Sequence, residues 1–219
     1  TQTNGGKTWS FTLRDGVASE TGDPITCADI KYGVSRTFAT DIITGGPTYA
    51  ISMLDIPKTD DGSSQYTGPY TGKGQDLYDK AVTCSADGKT ITFNLSRPVP
   101  DFNYTTTLAA FAPVPKAADT GEKYDDKPVS SGPYKISVYK KGKGGQMVLV
   151  RNDKWTQASD EYRKAYPDSW EVDFGIEDQV IDQRLIQGAP ADQTAVSTLL
   201  TPESLPVVFN DPKFADRRI

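Results

Sequence analysis

Two stretches far apart in the chain share one grammar, "KTWSFTLRDGV" (7–17) and "KTITFNLSRPV" (89–99). Trp9, Phe11 and Leu13 alternate with Ser10, Thr12 and Arg14. In the later stretch, Ile91, Phe93 and Leu95 alternate with Thr92, Asn94 and Ser96. Strict period-2 patterning puts successive side chains on opposite faces, so each stretch is a strand with one buried face. Asp15-Gly16 turns the chain after the first, and Asp87-Gly88 turns it before the second. A half-buried strand is marginal alone. The spacing therefore predicts one sheet holding both.

Three more segments read as strands: "PYKISVYKK" (133–141), "QMVLVRN" (146–152) and "WEVDFGI" (170–176), with "GKGG" (142–145) joining the first two as a hairpin. All five are expected in one sheet. Helices are predicted over 26–39, 101–111, 177–188 and 201–211. The first opens on Thr26 with Asp29 three residues on, a capping-box variant, and sets Cys27, Ile30, Val34 and Phe38 on one face. The third groups Val180, Ile181 and Leu185 and stops at Gly188; the fourth has Thr201 as cap and Pro202 at the first helical position. Between them, 41–83 is rich in Gly, Pro, Ser and Thr and poor in periodic apolar residues, so it reads as a long irregular insertion. Excursions of that length are functional or pack against something else. The fold class is α+β, a mixed and largely antiparallel sheet with helices and one long insertion.

Charge and residue usage narrow the chemistry. The net charge is −5 and the only basic run is "VYKKGKGGQ" (138–146), so no cationic face is available for nucleic acid. There is no histidine, which removes Ser-His and Cys-His catalysis and histidine metal ligation. The two cysteines cannot build a four-cysteine zinc site. Neither "GKT" (6–8 and 88–90) has the upstream glycine of a phosphate-binding loop: Thr1 and Thr83 stand there. "TDDGSS" (59–64) breaks the calcium-loop frame at Pro57 and Thr59. The expectation is no catalytic residue, no metal and no cofactor. Asp and Glu remain available for acid–base work, although carboxylates of an acidic chain are mostly solvated surface. Cys27 and Cys84 are either two separate buried thiols or one disulfide; export would favour the disulfide.

In order, the motifs "TWSFTLRDGV…GDPITCADIKYGVSRTF", "TITFNLSRPVPDF" (90–102), "FAPVPK" (111–116), "SSGPYKI" (130–136), "LVRNDKW" (149–155) and "IDQRLIQG" (181–188) resemble the family 5 extracellular solute-binding proteins of ABC importers, the oligopeptide, dipeptide and nickel type. Trp9, Phe11, Leu13, Arg14, Gly16 and Val17 match its first signature, and Gly22, Pro24, Ile25, Thr26, Cys27, Asp29, Ile30 and Tyr32 its second. The chain departs at Thr21, where the family has Asp, and at "GAPADQ" (188–193), where it has "GEAD".

The resemblance implies part of one lobe of a type II periplasmic-binding-protein-like fold. Residues 1–25 and 132–190 would be mainly sheet core, 26–131 would hold a helix, the insertion and one core strand, and 191–219 would begin the crossing toward a second lobe. Residue 1 is Thr rather than Met, so a processed or excised piece is expected. The implied function is capture of oligopeptides outside the cell, at the surface and lipid-anchored, for a membrane permease. Oligosaccharides are the alternative ligand. A carboxylate-based glycoside hydrolase is the alternative outside the family, and would need two carboxylates facing each other across a cleft. Tyr49 in "GGPTYA" (45–50), and Gln193 and Thr194 in a strand after the late helix, are the ligand-contact positions the resemblance offers. Their ordinary alternatives are a packed loop tyrosine and plain surface. Ala195 stands where the family carries an aromatic. Without histidine this piece is not expected to bind nickel.

Overall fold

The two alternating stretches lie side by side in the computed structural model, which describes residues 1–197 and 199–217. Strands β1 (Gln2–Thr3), β2 (Thr8–Thr12), β3 (Val82–Cys84) and β4 (Thr90–Asn94) form one sheet of order β1-β2-β4-β3. β2 and β4 run antiparallel, with Trp9 opposite Phe93 and Phe11 opposite Ile91. The apolar members of both strands therefore share a face. The other face carries Ser10 against Thr92 (Oγ to Oγ1, 2.8 Å) and Thr8 donating to Asn94 Oδ1 at 3.2 Å. Such cross-strand pairs hold register where no apolar packing does.

A second sheet of order β5-β6-β7 contains β5 (Tyr134–Lys140), β6 (Gln146–Arg151) and β7 (Ser169–Asp173). The expected single five-strand sheet is thus two sheets. Period-2 patterning identifies strands but not their neighbours, and the edge beside β4 is taken by β3, whose three residues are too few to show alternation. The "GKGG" hairpin is present: Gly142 has φ +91° and Gly145 donates to its carbonyl at 2.9 Å.

Helix α1 (Cys27–Arg36) starts as the sequence predicts. The Asp29 carboxylate accepts from the Thr26 backbone N–H (2.8 Å) and hydroxyl (2.9 Å), occupying donors that a helix start leaves free. The helix ends at Arg36 rather than at residue 39, yet Phe38 stays buried in the turn that follows. Gly33 lets α1 approach the 112–114 segment: a Cβ there would stand 2.0 Å from the Ala112 carbonyl oxygen. Because that oxygen is backbone, Gly33→Ala is expected to cost about 2 kcal/mol or more. Urea unfolding measures it; an unchanged midpoint would show that the approach is not close.

The insertion is less irregular than its composition suggests. It contains α2 (Tyr49–Met53) and α3 (Gln75–Ala81), and it buries Ala50, Leu54, Tyr66, Tyr78 and Ala81 in the core. The Tyr66 and Tyr78 rings stack with centroids 4.5 Å apart, and Phe38 leans on both. Cys27, fully buried at the start of α1, is bonded to Cys84 on β3 (Cα–Cα 5.8 Å), which ties α1 to the sheet edge. Thiol titration of the denatured, unreduced protein should find no free thiol; two would contradict the pairing.

Of the helix predicted over 101–111 only α4 (Phe102–Thr105) forms, followed by a 3-10 turn at Ala109–Phe111. Helix α5 (Asp178–Gln187) ends on Gly188 at φ +62°, as expected, but its buried residue is Asp182, while Val180 is exposed. Helix α6 (Leu205–Asn210), capped by Ser204, starts three residues later than predicted with Thr201 as cap. The Thr201 hydroxyl and N–H both donate to Asp182 Oδ2, at 2.7 and 2.9 Å, so Thr201 is held by α5, and Pro206 rather than Pro202 lies in the first helical turn.

By internal contacts the chain divides into two compact units: Thr1–Ser137 with Leu149–Trp170, and Val138–Val148 with the residues from Glu171 onward. The first holds the aromatic core under β2 and β4. The second holds α5 and α6. Of the expected crossing segment, Thr198, Arg218 and Ile219 lie outside the described residues.

Candidate functional site

Tyr49 opens α2. Thr48 precedes it with non-helical backbone angles, and the Ser52 hydroxyl donates back to the Tyr49 carbonyl at 3.0 Å. Its neighbour Ala50 is fully buried, whereas Tyr49 is 45% exposed. Burial of the next residue fixes the backbone and leaves the phenol at the surface, an arrangement suited to an aromatic contact residue. Gly46 and Pro47, three and two residues before it, line a cavity of about 160 Å³ with Gly33 and Arg36 of α1 and the small side chains Ala109 and Ala112; Tyr49 itself is not part of the lining.

Arg36 is not free to meet a ligand there. Its Nε lies 3.2 Å from the Asp119 carboxylate, its Nη2 donates to the Gly121 carbonyl at 2.9 Å, and its guanidinium sits 4.6 Å from the Tyr124 ring centroid. Asp119 is saturated in turn. It accepts from Tyr32 Oη at 2.8 Å, Tyr70 Oη at 2.7 Å and the Gly121 N–H at 3.0 Å. Burial pushes the Asp119 carboxyl pKa up, but the hydrogen bonds from Tyr70 and Tyr32 outweigh it, and the net shift is downward. Burial, then the bond to Asp119, pushes Tyr32 well up, and Tyr70 rises for the same reasons. The cluster is an ionised carboxylate surrounded by neutral donors and one cation. It has no spare lone pair for general base work, and it fixes the end of α1, hence the cavity wall, against the 119–124 segment. No spacing in the sequence pointed to it, because its members come from three separate segments: α1, Tyr70 and 119–124.

In the second unit, Gln193 and Thr194 follow a 3-10 turn at Pro190–Asp192 and are exposed. The strand expected there does not form. Asp192 is buried and pairs with Arg184 of α5 (2.7 Å to Nη2, 3.1 Å to Nε), which bends the chain back toward the helix it has just left. Tyr49 thus belongs to the first unit, and Gln193 and Thr194 to the second. Among the described residues no group of three or more His, Cys, Asp or Glu side chains converges to hold a metal ion, and no helix is long and apolar enough to cross a membrane.

The sequence model described as bacterial extracellular solute-binding proteins, family 5 Middle, matches residues 1–214. The chain is 33% identical over 155 residues to the oligopeptide-binding protein OppA of Bacillus subtilis (strain 168), covering 68% of this chain and 26% of the relative. It is 24% identical over 198 residues to the dipeptide-binding protein DppE of the same organism, covering 81% and 34%. Among solved structures it resembles clavulanic acid biosynthesis oligopeptide binding protein 2, with TM-score 0.75 and 38% identity over 86% of this chain and 32% of that one. It also shares the fold of the substrate-binding domain of an oligopeptide ABC transporter from Bacillus anthracis str. Ames, with TM-score 0.69 and 19% identity over 97% of this chain and 38% of that one. The chain spans between 26% and 38% of the length of these relatives.

Proposed function

The chain belongs to family 5 of the bacterial extracellular solute-binding proteins, and from that premise we propose that it is part of the solute-capture component of an ABC importer whose cargo is oligopeptides. The observation that carries the peptide reading is the 38% identity to a solved oligopeptide-binding protein over most of this chain. On this reading the chain is part of one lobe, and 191–219 begins the crossing toward another. The whole protein works outside the cell, lipid-anchored at the surface and delivering to a membrane permease. The Cys27–Cys84 bond supports an oxidising compartment, where disulfides persist.

Capture of this kind needs shape, hydrogen-bonding groups and exclusion of water rather than a reacting group. Tyr49 is the aromatic contact from the first unit. A tyrosine brings large area at low rotamer cost, since it has only two side-chain torsions. Gln193 and Thr194 offer amide and hydroxyl partners to a peptide backbone. They directly follow Asp192, which pairs with Arg184 of α5.

Native mass spectrometry of the whole protein, purified undenatured from its source, tests the reading. Bound masses should correspond to short peptides and exchange with an added peptide pool. Saccharide masses, or turnover of chromogenic glycosides, would replace the peptide assignment. In the same protein Tyr49→Ala is expected to weaken peptide binding about tenfold, roughly 1.4 kcal/mol. Its stability should fall by no more than about 1 kcal/mol, because the residue is 45% exposed. Unchanged affinity would remove Tyr49 from the site.

A further inference from the structure

The turn that joins β1 to β2 runs through Asn4 and Gly5, at φ +53° and +61°. Among the described residues only Asn4 and Ala165 take such angles without being glycine. Asparagine and glycine enter the left-handed region at least cost, so the pair suits a tight turn between antiparallel strands. The same pair is chemically reactive. An asparagine side-chain carbonyl can close a five-membered ring on the backbone nitrogen of the next residue, and glycine has no Cβ to shield that nitrogen.

The chain has five asparagines, and only Asn4 precedes glycine. Asn94 is committed at both ends of its amide, donating to the Lys80 carbonyl at 3.0 Å and accepting from Thr8 at 3.2 Å. Asn152 is 4% exposed, donates to the Gly132 carbonyl at 2.9 Å and accepts from the Lys154 N–H at 3.0 Å. Asn103 and Asn210 lie in α4 and α6 and precede Tyr104 and Asp211, whose side chains crowd the nitrogen. Asn4 and Gly5 are both exposed, and among the described residues no hydrogen bond holds the Asn4 side chain.

The backbone on the far side of the turn is tied to the core. The Gly6 carbonyl accepts from Trp9 Nε1 and from the Val99 N–H, both at 3.2 Å, and the Lys7 carbonyl accepts from the Leu95 N–H at 2.7 Å. One bond closes the turn itself, from the Lys7 N–H to the Asn4 carbonyl at 3.2 Å. The reacting conformation is therefore reached by a small local opening rather than by unfolding.

We propose that Asn4 is a site of spontaneous deamidation, and that its isoaspartate product loosens the β1–β2 turn from the core. The Gly5 nitrogen, its proton taken by solvent base, attacks the Asn4 side-chain carbonyl carbon. A carbon–nitrogen bond forms, the bond to the side-chain nitrogen breaks, and ammonia leaves a succinimide. Water then opens the ring at either carbonyl. One opening gives aspartate. The other gives isoaspartate, whose main chain is one methylene longer and cannot keep both the Lys7–Asn4 bond and the Thr3–Thr8 register. Either product adds one negative charge. The site is independent of the peptide reading.

The folded, disulfide-bonded chain, held for several weeks at pH 7.4 and 37 °C in water enriched in oxygen-18, tests the proposal. Trypsin then releases residues 1–7, and fragment masses separate Asn4 from Gln2. Conversion of amide to labelled carboxyl is expected at Asn4 about tenfold or more faster than at any other asparagine, because nothing shields the Gly5 nitrogen. The rate should rise several-fold from pH 6.5 to pH 8.5, and isoaspartyl methyltransferase should label part of the product. The isolated isoaspartate form should unfold at lower urea than Asn4→Asp, whose main chain has ordinary length. The proposal is overturned if Asn4 stays an amide, reacts no faster than the other four, reacts independently of pH, or gives aspartate alone. Equal urea midpoints for the isoaspartate form and Asn4→Asp would overturn the loosening.

Discussion

Phe102→Ala is expected to destabilise the protein by about 4 kcal/mol. Phe102 is fully buried at the start of α4, and its ring centroid lies 5.4 Å from Phe93, 5.6 Å from Phe111, 6.2 Å from Trp9 and 6.4 Å from Phe11. Truncation removes the transfer energy of the ring, the edge-on aromatic contacts, each worth roughly 0.5–1.5 kcal/mol beyond area, and leaves a void. The void cannot close easily. Phe93 and Phe11 are fixed by the β2–β4 ladder, and Trp9 is anchored by its Nε1–H bond to the Gly6 carbonyl at 3.2 Å. The internal control is Tyr104→Ala, two residues further along the same short helix and 74% exposed, which should change stability by less than about 0.5 kcal/mol. Urea unfolding of both variants measures the difference. Equal midpoints would mean that Phe102 does not organise the core.

That core was half legible. The partners of Phe102 on β2 and β4 stand at every second residue, and burial of one strand face repeats at the period the eye can count. The other half comes from the 41–83 insertion. Phe38, Tyr66 and Tyr78 pack together although no regular spacing relates them, because the chain between them turns through loops rather than running as one element. Their partnership is a tertiary fact with no local signature. The disulfide was legible as a pair of alternatives, and geometry chose between them.

The candidate site divides in the same way. Tyr49 was named from its position after α1, and its exposure suits the role, but nothing local showed that it begins a helix. The strand expected at Gln193 and Thr194 failed for an electrostatic reason: Arg184, eight residues earlier, draws Asp192 into an ion pair, and an extended chain would carry it away. The start of α6 was misplaced by a related contact, since Asp182 holds the Thr201 that would have capped it. Both misses are polar contacts to α5 overriding correct local preferences, Pro and Thr at helix starts among them.

Asp119→Ala should cost about 3–5 kcal/mol, the range for removing one partner of a buried ion pair. The side chains of Arg36 and Asp119 are 14% and 3% exposed, so the loss strands a nearly buried guanidinium and the hydroxyls of Tyr32 and Tyr70 together. The Tyr124 ring over Arg36 and the Gly121 carbonyl offset only part of this. Asp119→Asn keeps an acceptor and loses the charge, so it should fall between the parent and the alanine variant. The pH dependence separates this network from ordinary packing. Asp119 has a depressed pKa in the folded state, so its contribution is present above the unfolded carboxyl value of about 4 and is lost as pH falls through the lower folded value. Tyr32 and Tyr70 have raised values, so theirs is present below about 10, the unfolded tyrosine value, and is lost as pH rises through the folded ones. Urea midpoints measured from pH 3 to pH 11 should fall at both ends in the parent, and the acid limb should be shallower in Asp119→Ala. A variant with the parent's acid limb, or a loss at neutral pH under about 1 kcal/mol, would show that α1 is held at its end by apolar packing alone.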